Sequence, residues 1–194
     1  MNDVMIDLET MGTGHLAPIV AIGAVLFDIE AGAIGERFYT AVDLASAVEN
    51  GAVIYPGTVL WWLKQGDEAR AAISTANAMH INVALMQFSG WIRDHSNHDT
   101  VRVWGNGASF DNPILAQAYR AAGMPQPWRY FNDRCYRTVK AMHPHVPMER
   151  QGTHHNALDD AESQARHLLA MLSRAARSST WGPASATPSA LTSP

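Results

Sequence analysis

Asp7, Glu9, Asp111, His155 and Asp160 are the residues whose types and spacing could carry chemistry. Asp7 and Glu9 stand two positions apart in VMIDLET, a stretch predicted as a strand, so their side chains project from one face. Two carboxylates side by side in apolar surroundings repel each other, and a cation or hydrogen-bond donors must compensate them unless the strand end is solvated. Asp111 follows VWGNGASF at a predicted helix start, and Asp160 falls in the first turn of another helix. Either acid alone reads as a cap or as a complement to the helix dipole. Together with His155, five residues before Asp160, they form a set suited to hard divalent cations such as Mg²⁺, which take oxygen ligands and keep positions for water and phosphate. Two such ions about 3.5–4 Å apart can activate a water on one side of a phosphodiester and stabilise the leaving oxygen on the other. A histidine titrating near neutrality would serve as general base for that water.

The elements that must position these residues follow from periodicity and turn signals. VMIDLET, IVAIGAVLFDIE and GERFYTAV are separated by Gly- and Pro-containing loops and read as an antiparallel meander. Residues 43–95 turn helical, with DLASAVENG, TVLWWLKQG and DEARAAIS as short candidates and INVALMQFSGWIRDH as a longer one. In the last, Ile81, Leu85, Phe88 and Ile92 make one apolar stripe. VRVWGNG returns to strand and loop, and FDNPILAQAYRAAG is a helix with Pro113 near its first turn and Gly123 as terminator. WRYFNDRCYRTVKAM is a short strand or loop running into a helix. The closing helix places Leu158, Ala161, Ala165, Leu168, Leu169 and Leu172 on one face and ends near Arg174 to Arg177. The expected fold is α/β, a mixed sheet with helices on both faces. Residues 1–177 form one domain, and the Ser-, Ala-, Thr- and Pro-rich segment 178–194 is expected to be a disordered tail. No internal repeat is visible.

DLET at 7–10, GNGASFDNPIL at 105–115 and HHNALDDA at 154–161 resemble the three exonuclease motifs of the DEDD superfamily in its histidine branch, DEDDh, over roughly residues 1–175. The histidine four residues clear of the last aspartate marks that branch, and the middle of the chain is most similar to small bacterial and phage 3′–5′ exonucleases of the ribonuclease T-like group. The resemblance implies a ribonuclease H-like (DnaQ-like) fold and two Mg²⁺ or Mn²⁺ ions. It implies that Asp7, Glu9 and Asp160 hold the ion nearest the attacking water, that Asp7 bridges to the second ion and that Asp111 binds that second ion. His155 would be the general base. The backbone at Thr10 and Met11 would receive the terminal nucleotide, and Phe110 would pack on a base or sugar. By register, His154 and Asp159 stay outside the set, with Asp159 facing solvent or capping the helix. The implied substrate is the 3′ end of single-stranded RNA or DNA, released as 5′-mononucleotides. A proofreading or repair subunit in a polymerase assembly, or a binding module without activity, are the other readings. Dimers are common among the enzymes resembled, and the sequence itself shows no interface.

Of the adjacent Trp61 and Trp62, one is expected in the core and the other as a stacking surface for a single-stranded base; Trp62 is the one assigned to substrate. His143, His145, His154 and His155 lack a cysteine partner for a structural zinc. Arg129, Arg134, Arg137, Lys140 and Arg150 either line a phosphate path or occupy solvated faces. GNG at 105–107 is too short for a dinucleotide fingerprint. Cys135, the only cysteine, cannot form an intrachain disulfide and reads as a packed thiol.

A formal net charge of −4 argues against broad electrostatic binding of nucleic acid. It is compatible with a nuclease whose carboxylates hold metal ions, because the ions supply positive charge where the phosphate sits. With no signal-like N-terminus and no apolar run approaching the roughly 18 residues of a membrane span, the expectation is a soluble cytoplasmic protein.

Overall fold

The computed structural model describes residues 1–178, with side chains through residue 173. Strands β1 (Asp3–Thr10), β2 (Ile19–Asp28) and β3 (Ala33–Ala41) form the expected antiparallel meander. Two further strands, β4 (Arg102–Gly105) and β5 (Asp133–Cys135), add in parallel on the other side of β1, giving a five-stranded mixed sheet in the order β3-β2-β1-β4-β5. β1 therefore has a neighbour on each edge and is buried along nearly its whole length. Its apolar residues Val4, Ile6 and Leu8 alternate with Met5, Asp7 and Glu9, so period two sends the two sets to opposite layers.

Seven helices cover the sheet: α1 (Leu44–Glu49), α2 (Pro56–Trp62), α3 (Asp67–Ile73), α4 (Ile81–His95), α5 (Asp111–Ala121), α6 (Tyr136–Met142) and α7 (Ala157–Ser178). Asp43 caps α1 by accepting the N–H groups of Ala45 and Ser46, and Pro56 opens α2, both ordinary first-turn chemistry. On one face Val4, Ile6 and Leu8 pack with the α4 stripe Ile81, Leu85, Phe88 and Ile92 and with Ile114, Leu115 and Tyr119 of α5. On the other, Met5, Val25, Phe27 and Trp104 pack with Tyr136 of α6 and with Ala161, Ala165, Leu168 and Met171 of α7. Each such large apolar side chain contributes about 1.5–3 kcal/mol by leaving water, so α4 and α7 fasten the two layers.

α7 differs in detail from expectation. Ala161, Ala165, Leu168 and Leu169 are buried as expected, whereas Leu158 and Leu172 are only partly buried and Ala157 and Met171 join the buried face. Ala157 sits deep against Gly23 on β2, where a Cβ would lie 2.1 Å from its carbonyl carbon. Only glycine lets the first turn of α7 rest on the strand. α7 continues to Ser178, one residue past the expected end, and the rest of the expected tail lies outside the described residues. Among the described residues no helix is long and apolar enough to cross a membrane.

Candidate active site

β4 runs parallel to β1 and ends beside its middle, so the second half of β1 extends past it, with α5 on one face of the sheet and α7 crossing the other. The carboxyl ends of strands beside a topological switch point are where open α/β sheets bind ligands. Asp7 and Glu9 project toward α7, as Met5 does two residues earlier. There they meet Asp160: one carboxylate oxygen from each of the three residues lies within 4.8 Å of the others. Gln164, one helical turn beyond Asp160, donates to Asp7 Oδ1 at 2.7 Å. The Asp160 carboxylate accepts the His155 N–H on Oδ2 at 3.1 Å and an Arg150 guanidinium N–H on Oδ1 at 2.6 Å. Glu9 Oε1 is buried without a partner.

Asp111 is 1% exposed and stands outside that trio. Its Oδ1 accepts the Leu8 N–H at 3.1 Å and its Oδ2 the Asn106 N–H at 2.6 Å, so it ties the end of β4 to β1. Gly105 makes the approach possible, because a Cβ there would lie 2.3 Å from Asn112 Oδ1 and 2.9 Å from Asp111 Cβ. The first glycine of GNG thus serves the acid site rather than a nucleotide loop.

Close-set acids with little water raise one another's pKa. Burial, then Asp111, Glu9 and Asp160 hold the Asp7 carboxyl well above its usual range, with the Gln164 hydrogen bond opposing. Glu9 is pushed up to about 8 by burial and by Asp160 and Asp111. Asp111 is pushed up to about 6 by burial, against the Asn106 and Leu8 N–H groups. An all-oxygen set with one buried oxygen unpartnered fits a hard divalent cation, whose charge would favour the ionised forms.

His155 is the only non-glycine residue among those described with positive φ, 63°, a conformation that costs about 1–2 kcal/mol for an L residue. The hydrogen bond to Asp160 and ring contacts hold it there. Trp61 and Trp62 meet the imidazole edge-on, with centroids at 4.8 and 6.1 Å, and the His154 ring stacks on it at 3.7 Å. Burial and the neighbouring His154 lower its pKa below the ordinary 6.5, against the pull of Asp160. Both effects favour the neutral imidazole.

These residues open on a cavity of about 580 Å³ whose wall includes Thr10, Phe110, Trp61, Trp62, Lys140 and Arg150. The tryptophans divide differently from the assignment of Trp62 to substrate. Trp62 is 3% exposed and donates its indole N–H to the Thr10 carbonyl at 3.0 Å, whereas Trp61 is 42% exposed. Two adjacent helical residues cannot share one face, so Trp62 is a wall and Trp61 offers the free ring. Met11 does not line the cavity; its N–H donates to the Pro18 carbonyl and its own carbonyl accepts from Tyr55 N–H. We predict that Trp61→Ala raises KM for a single-stranded oligonucleotide by about 5-fold or more, since one stacked base is worth about 1–3 kcal/mol. Steady-state kinetics with an unchanged KM would remove Trp61 from substrate contact.

Asp159 turns away from the cluster and accepts the Thr153 N–H at 2.7 Å, bracing the loop before α7. Of the basic residues, Arg129 pairs with Asp99, and Arg134 donates to the carbonyls of Phe131 and Asp133. Arg137 reaches Asn106 Oδ1 at 3.4 Å. His143 and His145 belong to no metal-ligand cluster of the described residues. One site residue, Gln164, and one pairing, Arg150 with Asp160, were not anticipated from the sequence. Gln164 was findable, because it lies four positions after Asp160 and so shares its helix face. The pairing of Arg150 with Asp160 had no signal, since it depends on the path of the loop.

The model of the 3′-5′ exoribonuclease Rv2179c-like domain matches residues 2–172. An exodeoxyribonuclease of Enterobacteria phage T4 is 30% identical over 131 residues, 62% of this chain and 56% of that protein. The chain thus spans little more than half the length of this curated relative. The nuclease domain of 3′hExo, a DEDDh family member bound to rAMP, superposes with a TM-score of 0.59 at 15% identity, covering 89% of this chain and 92% of that one. Exonuclease I of E. coli in complex with a dT13 oligonucleotide gives 0.56 at 16% identity, covering 87% and 39%. At these identities the likeness is one of fold, and the fold is the ribonuclease H-like one expected from the three motifs. With its described sheet and acidic cluster inside the matched span, the chain belongs to the Rv2179c-like 3′-5′ exoribonuclease domain family.

Proposed function

We propose that the protein is a divalent-metal-dependent 3′–5′ exonuclease that hydrolyses the terminal phosphodiester of single-stranded nucleic acid and releases 5′-mononucleotides. The observation that carries this reading is the Asp7, Glu9 and Asp160 trio with His155 at its rim, its backbone N–H bonded to Asp160. Asp7, Glu9 and Asp160 would hold one Mg²⁺ or Mn²⁺ ion, and Asp7 with Asp111 a second. When bound, the ions supply Lewis-acid charge against the negative charge that builds on the phosphoryl oxygens.

The chain's own residues do the rest. His155 accepts the proton of the attacking water at its imidazole nitrogen, the new oxygen–phosphorus bond forms, and the bond to the 3′-oxygen of the preceding nucleotide breaks. That oxygen leaves as a hydroxyl after taking a proton from solvent. Trp61 and Phe110 flank the terminal base and sugar, and Lys140 faces the cavity as a cation for the phosphate path. Gln164 fixes the Asp7 carboxylate by its hydrogen bond.

RNA is the first substrate to expect, on the family's description, with DNA the comparison raised by the phage relative. Matched RNA and DNA oligonucleotides labelled at the 3′ or the 5′ end, incubated with Mg²⁺, Mn²⁺ or chelator, test the whole reading. The expected result is immediate release of labelled mononucleotide from the 3′ end, a ladder from the 5′ label and no reaction in chelator. Turnover in chelator, or release starting at the 5′ end, would overturn it.

A further inference from the structure

We propose that His154, His155 and Asp160 form a second, nitrogen-rich metal site that takes Zn²⁺ in competition with the hard ion at Asp7, Glu9 and Asp160, and that its occupation silences hydrolysis. Silencing rests on the reading of His155 as general base; the site itself does not.

Two groups of metal-ligating side chains stand out among the described residues, and Asp160 belongs to both. One is all oxygen. The other has two imidazoles and a carboxylate, each offering a ligand atom within 4.8 Å of the others. The two sites therefore differ in the ion they favour: imidazole suits zinc, whereas carboxylate oxygens suit magnesium and manganese. His154 is exposed, His155 half-buried and Asp160 buried, so the group opens to solvent on one side. That leaves a fourth position for water, as in three-ligand zinc sites.

The geometry is within reach of closure. The two rings stack with centroids 3.7 Å apart and planes 28° apart, and the chain from 143 to 156 contains no helix or strand. Zinc–nitrogen bonds of about 2.0–2.1 Å ask the ligand atoms to close by on the order of 1 Å, which side-chain rotation supplies. Either metal must displace the Arg150 guanidinium from Asp160 Oδ1, so that contact does not favour one ion over the other. The imidazole lone pair of His155 bound to zinc cannot take a proton from water, and Asp160 drawn to the histidines is lost to the oxygen site. In the proposed hydrolysis His154 only stacks on His155 and handles neither the water nor the metal, and it is the ligand that separates the two sites.

Calorimetric titration of the full chain with ZnCl₂ and, separately, MnCl₂ tests the proposal against His154→Ala and His154→Gln. Zinc affinity is expected to fall by at least about tenfold in both variants, the low end of what even outer partners of a metal site cost, with manganese affinity unchanged. The zinc concentration that half-inhibits Mg²⁺-dependent hydrolysis should rise by the same factor. Equal zinc affinity in all three proteins would overturn the site, and weakened zinc binding with unshifted inhibition would overturn its silencing role. Zinc uptake is measured without substrate, so a chain inactive on every oligonucleotide would refute the exonuclease reading and still test the site.

Discussion

Replacing His155 by alanine is expected to lower kcat on a 3′-labelled oligonucleotide by about 100- to 10,000-fold, the usual contribution of a positioned general base. His154→Ala, one residue away, is expected to keep kcat near that of the unaltered chain at pH 8. The two histidines share a loop and their rings touch, yet only His155 donates its backbone N–H to Asp160 and is walled in by Trp61 and Trp62. Alanine keeps the backbone N–H bond to Asp160 and loses only the ring contacts, so the fold should hold with a modest drop in melting temperature. His155→Asn, which tolerates the left-handed region better, separates lost chemistry from lost loop geometry: it should be as inactive as the alanine variant and at least as stable. Because burial and His154 hold the imidazole below 6.5, kcat/KM should stay level through neutrality and decline only as the pH drops below that value, where the base is protonated. Equal losses on removing either histidine would show that the register of HHNALDD has been misassigned.

The parts of the site that lie on regular elements were legible in the sequence, and those that depend on loops were not. Asp7 and Glu9 could be put on one face because a strand alternates, and Asp160 could be put at the start of α7 because an apolar stripe begins there. Both placements hold, and the meander, the α4 stripe and the crossover to β4 follow from the same periodicities. The burial of Ala157 was invisible because it depends on Gly23, on a strand far away in sequence, whose missing Cβ lets the first turn of α7 approach. Arg150 on Asp160 and the positive φ of His155 were equally hidden, since long-range contacts of a loop set them. The division of labour between Trp61 and Trp62 lay between these cases. Helical geometry requires that one of the pair be buried, and the indole N–H bond to the Thr10 carbonyl decides that it is Trp62.

Glu9→Gln is expected to abolish metal-dependent hydrolysis and, in chelator, to make the protein more stable than the unaltered chain at pH 8. The Glu9 carboxyl titrates near 4.5 when exposed and at about 8 in the folded protein, so between those values the folded state keeps a proton that the unfolded state has lost. Stability therefore falls as pH rises through this window and levels off above about 8. From pH 4.5 to pH 7 the loss is about 3 kcal/mol at about 1.4 kcal/mol per pH unit. Asp7 contributes in the same direction, since burial and the neighbouring acids raise it too. Glutamine keeps the shape of the side chain without the charge, removing the Glu9 share and one source of the Asp7 shift. Thermal denaturation in chelator should show the variant melting higher at pH 8 by at least several degrees, since about 1 kcal/mol shifts the midpoint of a chain of this size by about 2–4 °C. At pH 5 the two proteins should differ little. Saturating Mg²⁺ should reverse the order at pH 8, because the ion stabilises the ionised trio and binds weakly once one ligand is neutral. If the variant and the unaltered chain lose stability in parallel from pH 5 to pH 8 in chelator, Glu9 is already ionised without metal, and the trio cannot be the strained, cation-seeking cluster on which the proposed activity depends.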